Sequence, residues 1–299
     1  MAKPFVKWVG GKSQLIPEIV QRLPEYIEKG LPYIYVEPFS GSAAFALHLL
    51  ESEHPPTAVI LNDINTDLVN LYKVIKSNPH ELLAYLTNLQ SEYDKLEDKE
   101  AKQPYYYAKR EAFNTRSADP IEHAGLFIFL NRAGFNGLYR VNSKNKFNVP
   151  IGSYKKPNFV FEDTILQASK VLSNVEIYNQ SYEDTLTHLE QLNSDELPAF
   201  FYFDPPYKPL SESSSFTSYS KDSFSDEDQA KLKSFCDLLD EKGYQWLLSN
   251  SDTTNVDSEN TFFDDMYSEY KVERVKASRN INSKGSKRGQ INELLIRNY

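Results

Sequence analysis

Tyr33-Ile-Tyr-Val-Glu37-Pro-Phe-Ser-Gly-Ser42-Ala-Ala-Phe-Ala-Leu-His-Leu-Leu50 is the stretch whose pattern decides the fold. Its first four residues are β-branched or aromatic and, with Glu37, follow a Gly-Leu-Pro break, which reads as a short buried strand. Pro38 to Ser42 carries turn chemistry, and Ala43 to Leu50 reads as a helix. Ala58-Val-Ile-Leu61 is a second strand that runs into Asn62-Asp63. Strand, glycine loop, helix and strand make a βαβ unit, and hence a parallel α/β sheet.

Beyond that unit the alternation stops. Leu68 to Ser77, Pro79 to Leu96, Pro104 to Asn114 and Ile121 to Arg132 read as successive helices, and Gly134 to Pro157, rich in Asn, Gly and Lys, as a structured loop or β-hairpin. Strands then resume at Val175 to Tyr178, Ala199 to Phe203, Gln245 to Ser249 (after a helix from Asp226 to Lys242) and Glu293 to Arg297. A Ser-rich stretch from Leu210 to Ser225 reads as a mobile loop. The plan is an α/β, Rossmann-like sheet interrupted by a helical insertion that carries a β-hairpin loop. Residues 1–65 and 166–299 form one discontinuous domain, and residues 66–165 form the other.

The chain has 299 residues, 40% of them hydrophobic and 25% charged, which is ordinary for a globular protein and excludes a coiled coil, a collagen-like chain and general disorder. A single cysteine rules out an internal disulfide and points to a reducing compartment. The start, Met-Ala-Lys-Pro-Phe-Val-Lys-Trp, lacks the apolar core of a secretory signal, and no apolar run approaches the roughly 20 residues of a membrane span. A cytoplasmic protein with no membrane partner is expected. The formal net charge of −9 argues against a nucleic-acid partner when taken whole. Its distribution argues the other way: Asp222 to Asp265 holds 12 acidic and 3 basic residues, Arg132 to Lys156 has 6 basic and no acidic residue, and Lys271 to Tyr299 has 8 basic and 2 acidic. Two basic segments in an acidic chain are what a local phosphate-facing surface needs, although a bare charge run is more often a solvated face.

The strongest chemical signal is Phe203-Asp204-Pro-Pro-Tyr207, where a wholly apolar strand ends in an acid, two prolines and an aromatic ring. Open α/β sheets bind ligands at the carboxyl ends of their strands. Pro205 and Pro206 fix φ and remove two donors, so the site offers acceptors only, the Asp204 carboxylate and the Pro205 carbonyl, beside the face of Tyr207. Such a set suits an exocyclic amine: both N–H groups are accepted, and the nitrogen lone pair is drawn out of conjugation and aimed at an electrophile. The plain alternative is a Pro-Pro turn with a capping aspartate.

Glu37-Pro-Phe-Ser-Gly41 has one glycine where a dinucleotide fingerprint needs three, and Asp63 follows 22 residues after Gly41, near the spacing at which an acid meets ribose hydroxyls. A nucleoside without phosphates, such as S-adenosylmethionine, fits that loop better than a dinucleotide. Lys7-Trp-Val-Gly-Gly-Lys-Ser13 is not a phosphate loop, because Val6 stands where glycine is required and no apolar strand precedes it. Trp8 and Lys12 remain as contacts near a helix expected to start around Ser13, where an anion such as a carboxylate would be favoured. The five histidines are scattered and one cysteine makes no zinc spacing, so no metal is expected. Cys236 lies within an amphipathic helix and reads as a small buried residue rather than a nucleophile.

Phe135-Asn136-Gly-Leu138-Tyr-Arg140 lies in the first basic segment. On an exposed loop Arg140 can reach guanine O6 and N7, and Phe135, Leu138 or Tyr139 can wedge between bases. A hairpin with a packed aromatic face explains the composition equally well.

In order along the chain, Lys7-Trp-x-Gly-Gly-Lys12, Glu37-Pro-Phe-Ser-Gly41, Asn62-Asp63, Phe135-Asn-Gly-Leu-Tyr-Arg140, Phe147-Asn-Val-Pro150, Asp204-Pro-Pro-Tyr207, and Arg288-Gly289 with Glu293-Leu-Leu-Ile296 resemble the Dam-type DNA adenine N6-methyltransferases, which modify GATC. The order, with recognition insertion between cofactor motifs and Asp-Pro-Pro-Tyr, is that of the α group of amino-methyltransferases. The resemblance implies that Trp8, Lys12, Asp63 and Asp204 touch S-adenosylmethionine, with Phe39, Gly41 and Tyr182 lining its pocket. It implies that Asp204, Pro205, Pro206 and Tyr207 form the catalytic motif that holds a flipped adenine. It further implies that Lys7, Asn136, Leu138, Arg140, Pro150 and Tyr154 meet duplex DNA, that Arg140 reads a guanine and that Phe135 enters the base stack. The sequence departs from the family at Gln180-Ser181-Tyr182, where members often carry an acid before the aromatic residue. The implied protein needs no metal, and its expected state is a monomer or weak dimer. The rival readings are a methyltransferase of RNA or of a protein amide, and a catalytically silent DNA-binding module.

Overall fold

The computed structural model describes residues 5–8, 10, 12–116, 119–194, 196–210, 224–278 and 290–299. Its centre is one sheet of 7 strands in the order β3-β2-β1-β4-β5-β7-β6. The strands are β1 (Ile34–Glu37), β2 (Ala58–Asn62), β3 (Val175–Tyr178), β4 (Ala199–Phe203), β5 (Gln245–Ser251), β6 (Lys271–Ser278) and β7 (Gln290–Arg297). The pairs β1–β2, β1–β4, β2–β3 and β4–β5 are parallel, whereas β7 runs antiparallel to both β5 and β6. This is the Rossmann-like α/β sheet expected from the strand pattern.

Alternation along the central strands explains why both faces are covered. Tyr35, Phe200 and Tyr202 enter one apolar cluster, and Ile34, Val36, Phe201 and Phe203 enter the other. Helix α3 (Ala44–Leu50) packs into the first cluster. Helices α9 (Asp184–Leu192) and α10 (Asp226–Glu241) pack into the second, where Leu186, Leu189, Leu232, Phe235 and the fully buried Cys236 meet the sheet. Cys236 is therefore the core residue its setting implied.

The helical run after β2 is present as α4 (Thr66–Ser77), α5 (Pro79–Asp94), α6 (Lys99–Thr115) and α7 (Pro120–Ala133), followed by α8 (Glu162–Leu172) before β3. Helix α7 is the hub: it is buried from His123 to Asn131, and α4, α5 and α6 all pack against it. Side-chain caps fix the starts of three of these helices, with Asn65, Asp98 and Asp119 accepting from backbone amides. Asp98 starts α6 five residues before Pro104, where the sequence reading began it, and the proline sits inside the helix.

Gly134 to Pro157 is a hairpin closed by isolated antiparallel bridges at Gly134–Ile151 and Val141–Phe147, without a named strand. The expected helix at Ser13 instead runs from Ile16 to Val20, too short to make an anion site of its N-terminus. Strand β6, which the sequence pattern does not predict, pairs along its length with β7. Most of the Ser-rich stretch (211–223), the closing Arg288-Gly289, and Val9 and Gly11 of the first motif lie outside the described residues.

Candidate active site

The strand order reverses between β1 and β4, so the crevice of the sheet opens at the carboxyl ends of those two strands. Glu37 ends β1 and Asp204 follows β4. The Glu37 carboxyl is only 3% exposed and accepts a hydrogen bond of 2.8 Å from the Tyr35 hydroxyl. Burial pushes its pKa up to about 8; the Tyr35 hydroxyl and the Ala46 amide oppose that rise, and Asp204 adds to it.

Gly41 turns the chain after β1 at φ +45°, and its N–H donates to Asp63 Oδ2 over 2.9 Å. Asp63 Oδ1 accepts from the Asn65 amide at 2.8 Å. Burial raises the Asp63 pKa against those two amides. A Cβ at Gly41 would lie 3.2 Å from the Trp8 indole, so the glycine is where a ring and a backbone meet. Asn62, at the end of β2, donates to the Pro38 and Gln180 carbonyls at 3.1 and 3.0 Å and ties three loops together at the crevice. Phe39 stacks on Tyr182 with ring centres 5.1 Å apart. Ser181 donates from its Oγ to Glu183 and from its N–H to Asp184, so acids follow the position where the family pattern places one.

Asp204 and Tyr207 share a partner. Lys12 Nζ is 3.1 Å from Asp204 Oδ1 and 3.8 Å from the centre of the Tyr207 ring. Ser249 Oγ, on β5, donates to the same carboxylate oxygen at 3.1 Å. Burial raises the Asp204 pKa, while Lys12 and the Ser249 hydroxyl pull it down. The Tyr207 hydroxyl donates to Glu293 Oε2 on β7 at 2.9 Å, and burial pushes that phenol well above its usual range. Pro205 is buried and Pro206 exposed; the Pro206 carbonyl accepts from Gln229 at 3.3 Å. Lys12 therefore meets the Asp204 carboxylate rather than standing at a helix start.

The DNA-binding candidates gather around α7. Asn131, 3% exposed, accepts from the Lys7 amide at 2.9 Å and donates to the Lys7 and Gly137 carbonyls at 2.9 and 2.8 Å. That one amide side chain fastens Lys7 to the Phe135–Leu138 turn, and nothing in its sequence setting announced it. The turn closes with the Leu138 N–H on the Phe135 carbonyl, and Asn136 and Gly137 both have positive φ, as an Asn-Gly hairpin turn requires. Phe135 is 49% exposed, Asn136 and Pro150 are exposed, and Lys7 Nζ lies over the exposed Tyr154 ring. Leu138 and Arg140 are half-buried, and Arg140 Nε donates to Asn148 Oδ1 at 2.5 Å.

Tyr139, one of the wedge alternatives, is not on this face. Its ring packs against both Phe127 and Trp8, with centres 5.3 Å away, and its hydroxyl donates to Asp67 at 2.7 Å. Not every basic residue faces outward either. Arg132 is half-buried with its guanidinium on the Phe161 ring, and Arg274 and Arg297 are taken up by Asp252, Asp264 and Glu273. Among the described residues there is no cluster of ligands suited to a metal ion and no helix long and apolar enough to cross a membrane.

With this geometry in view, comparison with known proteins is specific. Residues 8–281 match the D12 class of N6 adenine-specific DNA methyltransferases. The chain is 42% identical over 300 residues to the type II methyltransferase M.MjaIII of Methanocaldococcus jannaschii, covering 99% of each chain. It is 37% identical to the type II methyltransferase M1.LlaDCHI of Lactococcus lactis subsp. cremoris, covering 99% of this chain and 95% of that one. With the DNA adenine methylase of Escherichia coli K12 it shares 36% identity, covering 98% and 94%.

Proposed function

The chain belongs to the D12 class of N6 adenine-specific DNA methyltransferases, and from that premise we propose that it methylates the N6 amino group of adenine within GATC in duplex DNA, with S-adenosylmethionine as donor, by base flipping and direct in-line transfer. The observation that carries this reading is the Asp204 carboxylate at the mouth of the sheet, held between Lys12 and Ser249 and followed by the donor-free Pro205 and Pro206 and by Tyr207.

The residues of the crevice fit the donor. Glu37, Asp63 and Asp204 are carboxyl groups whose pKa values burial raises, and a bound sulfonium cation would favour their ionised forms. Gly41 leaves room that a Cβ would fill against Trp8. Trp8, Lys12, Phe39, Gly41, Asp63, Tyr182 and Asp204 would hold the cofactor, which supplies an activated methyl group when bound.

The chain's own work is then positional. Adenine must leave the duplex because its amino group is paired and stacked. Tyr207 offers a ring face worth about 1–3 kcal/mol of stacking. Asp204 and the Pro205 carbonyl would accept hydrogen bonds from the amino group of the flipped base, leaving its nitrogen lone pair free for the methyl group that the bound cofactor would supply. Lys12 and Ser249 oppose the burial that disfavours the ionised Asp204 carboxylate, and they orient it. Acceleration comes from orientation and fixed charge rather than a covalent intermediate. Lys7, Asn136, Leu138, Arg140, Pro150 and Tyr154 face the duplex, and Phe135, the exposed aromatic residue of the turn, enters the stack.

The test is to incubate the protein and S-adenosylmethionine with genomic DNA free of adenine methylation and to map modified bases by sequencing. N6-methyladenine confined to GATC is expected. Methylation of cytosine, or transfer only to RNA or protein, overturns the proposal, and N6-methyladenine in another sequence overturns GATC alone.

A further inference from the structure

We propose that the Tyr139–Asp67 hydrogen bond fixes the segment Phe135–Arg140 against Trp8, so that Tyr139 is a specificity-determining positioning residue; this rests on the reading of that segment as DNA-facing. Asp67 lies in the first turn of α4 and is 4% exposed. Its carboxylate accepts from Arg116 Nε and Nη2 at 3.2 and 2.8 Å, from His123 at 2.9 Å and from the Tyr139 hydroxyl at 2.7 Å. Those donors come from α6's end, from α7 and from the recognition hairpin, so one buried acid joins the helical insertion to the loop. Burial opposes ionisation, but His123, Arg116 and Tyr139 together hold the carboxyl down at about 2. The carboxylate thus stays charged as an anchor.

The Tyr139 ring carries the connection onward. It stacks on Phe127 at an interplanar angle of 19° and leans on Trp8 at 31°. Trp8 in turn abuts Gly41, whose N–H is held by Asp63, four residues before Asp67. The cofactor loop and the recognition segment therefore meet on opposite sides of the Trp8–Tyr139 pair. The segment is braced internally by Arg140 on Asn148 and by the Phe135 N–H on the Pro150 carbonyl. Loss of the Tyr139 hydroxyl would let this braced unit shift as a body and move the guanidinium of the adjacent Arg140, which is held on Asn148.

The experiment measures kcat/KM on GATC duplexes and on every single-base variant for the wild type, Tyr139→Phe and Arg140→Ala, with donor binding by calorimetry in the absence of DNA. Tyr139→Phe is expected to lose about tenfold in discrimination at the base that Arg140→Ala relaxes, with donor affinity within twofold of wild type. Unchanged discrimination in Tyr139→Phe alongside relaxed discrimination in Arg140→Ala overturns the inference and leaves the reading of the segment standing. If neither variant relaxes, both fall. A loss of donor affinity without relaxed discrimination also overturns the inference, because it marks a purely structural role.

Discussion

Lys12 Nζ stands 3.1 Å from the Asp204 carboxylate and 3.8 Å from the centre of the Tyr207 ring, so a single cation touches both ends of the Asp-Pro-Pro-Tyr motif. Burial makes Asp204 harder to ionise, and Lys12 is the strongest influence working the other way. Asp204 must be ionised to accept an amino proton, so methyl transfer falls as pH drops through its pKa. Lys12→Met removes the opposing charge and moves the acid limb of the pH–rate profile upward. Single-turnover rates at saturating donor across the acidic range check this. An acid limb that stays in place would show that Lys12 does not tune the carboxylate.

Glu37 sets a pH dependence of stability in the opposite sense from an acid such as Asp67, whose partners lower its pKa. Its folded pKa, near 8, is above the value of 4.5 for an unperturbed glutamate, so the folded state binds the proton more tightly than the unfolded chain. The contribution is full below about pH 4.5 and is lost as pH rises through about 8. Thermal melts of the wild type should fall across that window more steeply than those of Glu37→Gln, which keeps a neutral side chain of similar shape. Parallel curves would mean that Glu37 is already ionised in the fold.

Gly41 combines a positive φ with a neighbour that leaves little room. Adding a methyl group costs about 1–2 kcal/mol for the left-handed backbone alone, and the new Cβ would stand 3.2 Å from the Trp8 indole. Gly41→Ala should lower donor affinity by tenfold or more in calorimetry while shifting the melting temperature by only a few degrees. Donor binding equal to wild type would remove the loop from the cofactor site.

The half-buried Arg140 donates from Nε to Asn148 Oδ1 at 2.5 Å and from Nη2 to the Asn148 carbonyl at 3.3 Å, which orients its guanidinium. Arg140→Ala should relax base choice at one guanine by about 1–3 kcal/mol. A uniform loss across all sequences, with a smaller salt dependence, would instead make it a phosphate contact.

Ala199–Phe203, buried on both faces, is the most legible part of this chain, because a run that apolar has no soluble alternative. Val175–Tyr178, an edge strand with Glu176 exposed between buried Val175 and Ile177, also has the bounds its sequence pattern gives. Strand β6 carries no such signal, because in Lys-Val-Glu-Arg-Val-Lys the two valines stand three residues apart among charges at a sheet edge, where Arg274 pairs with Asp252. Helix α6 was read short because Pro104 looked like a start, whereas the Asp98 cap begins the helix earlier. Motif residues could be named from their order, but their partners could not. Ser249, Asn131 and Asp67 act through contacts between distant segments, and a lone Ser, Asn or Asp in a strand or helix carries no local signal of that. Tyr139 shows the same limit: an aromatic beside Arg140 looks like a wedge until the fold turns its hydroxyl onto Asp67.

The central claim is that the Asp204 carboxylate holds the amino group that receives the methyl. The direct measurement is single-turnover transfer of labelled methyl from S-adenosylmethionine to a GATC duplex by wild type and Asp204→Ala, with the product nucleoside identified and folding checked by melting. N6-methyladenine from the wild type, at least about 10²–10³-fold slower formation by the folded variant, and no label on cytosine are predicted. Transfer by folded Asp204→Ala at near the wild-type rate would contradict the account.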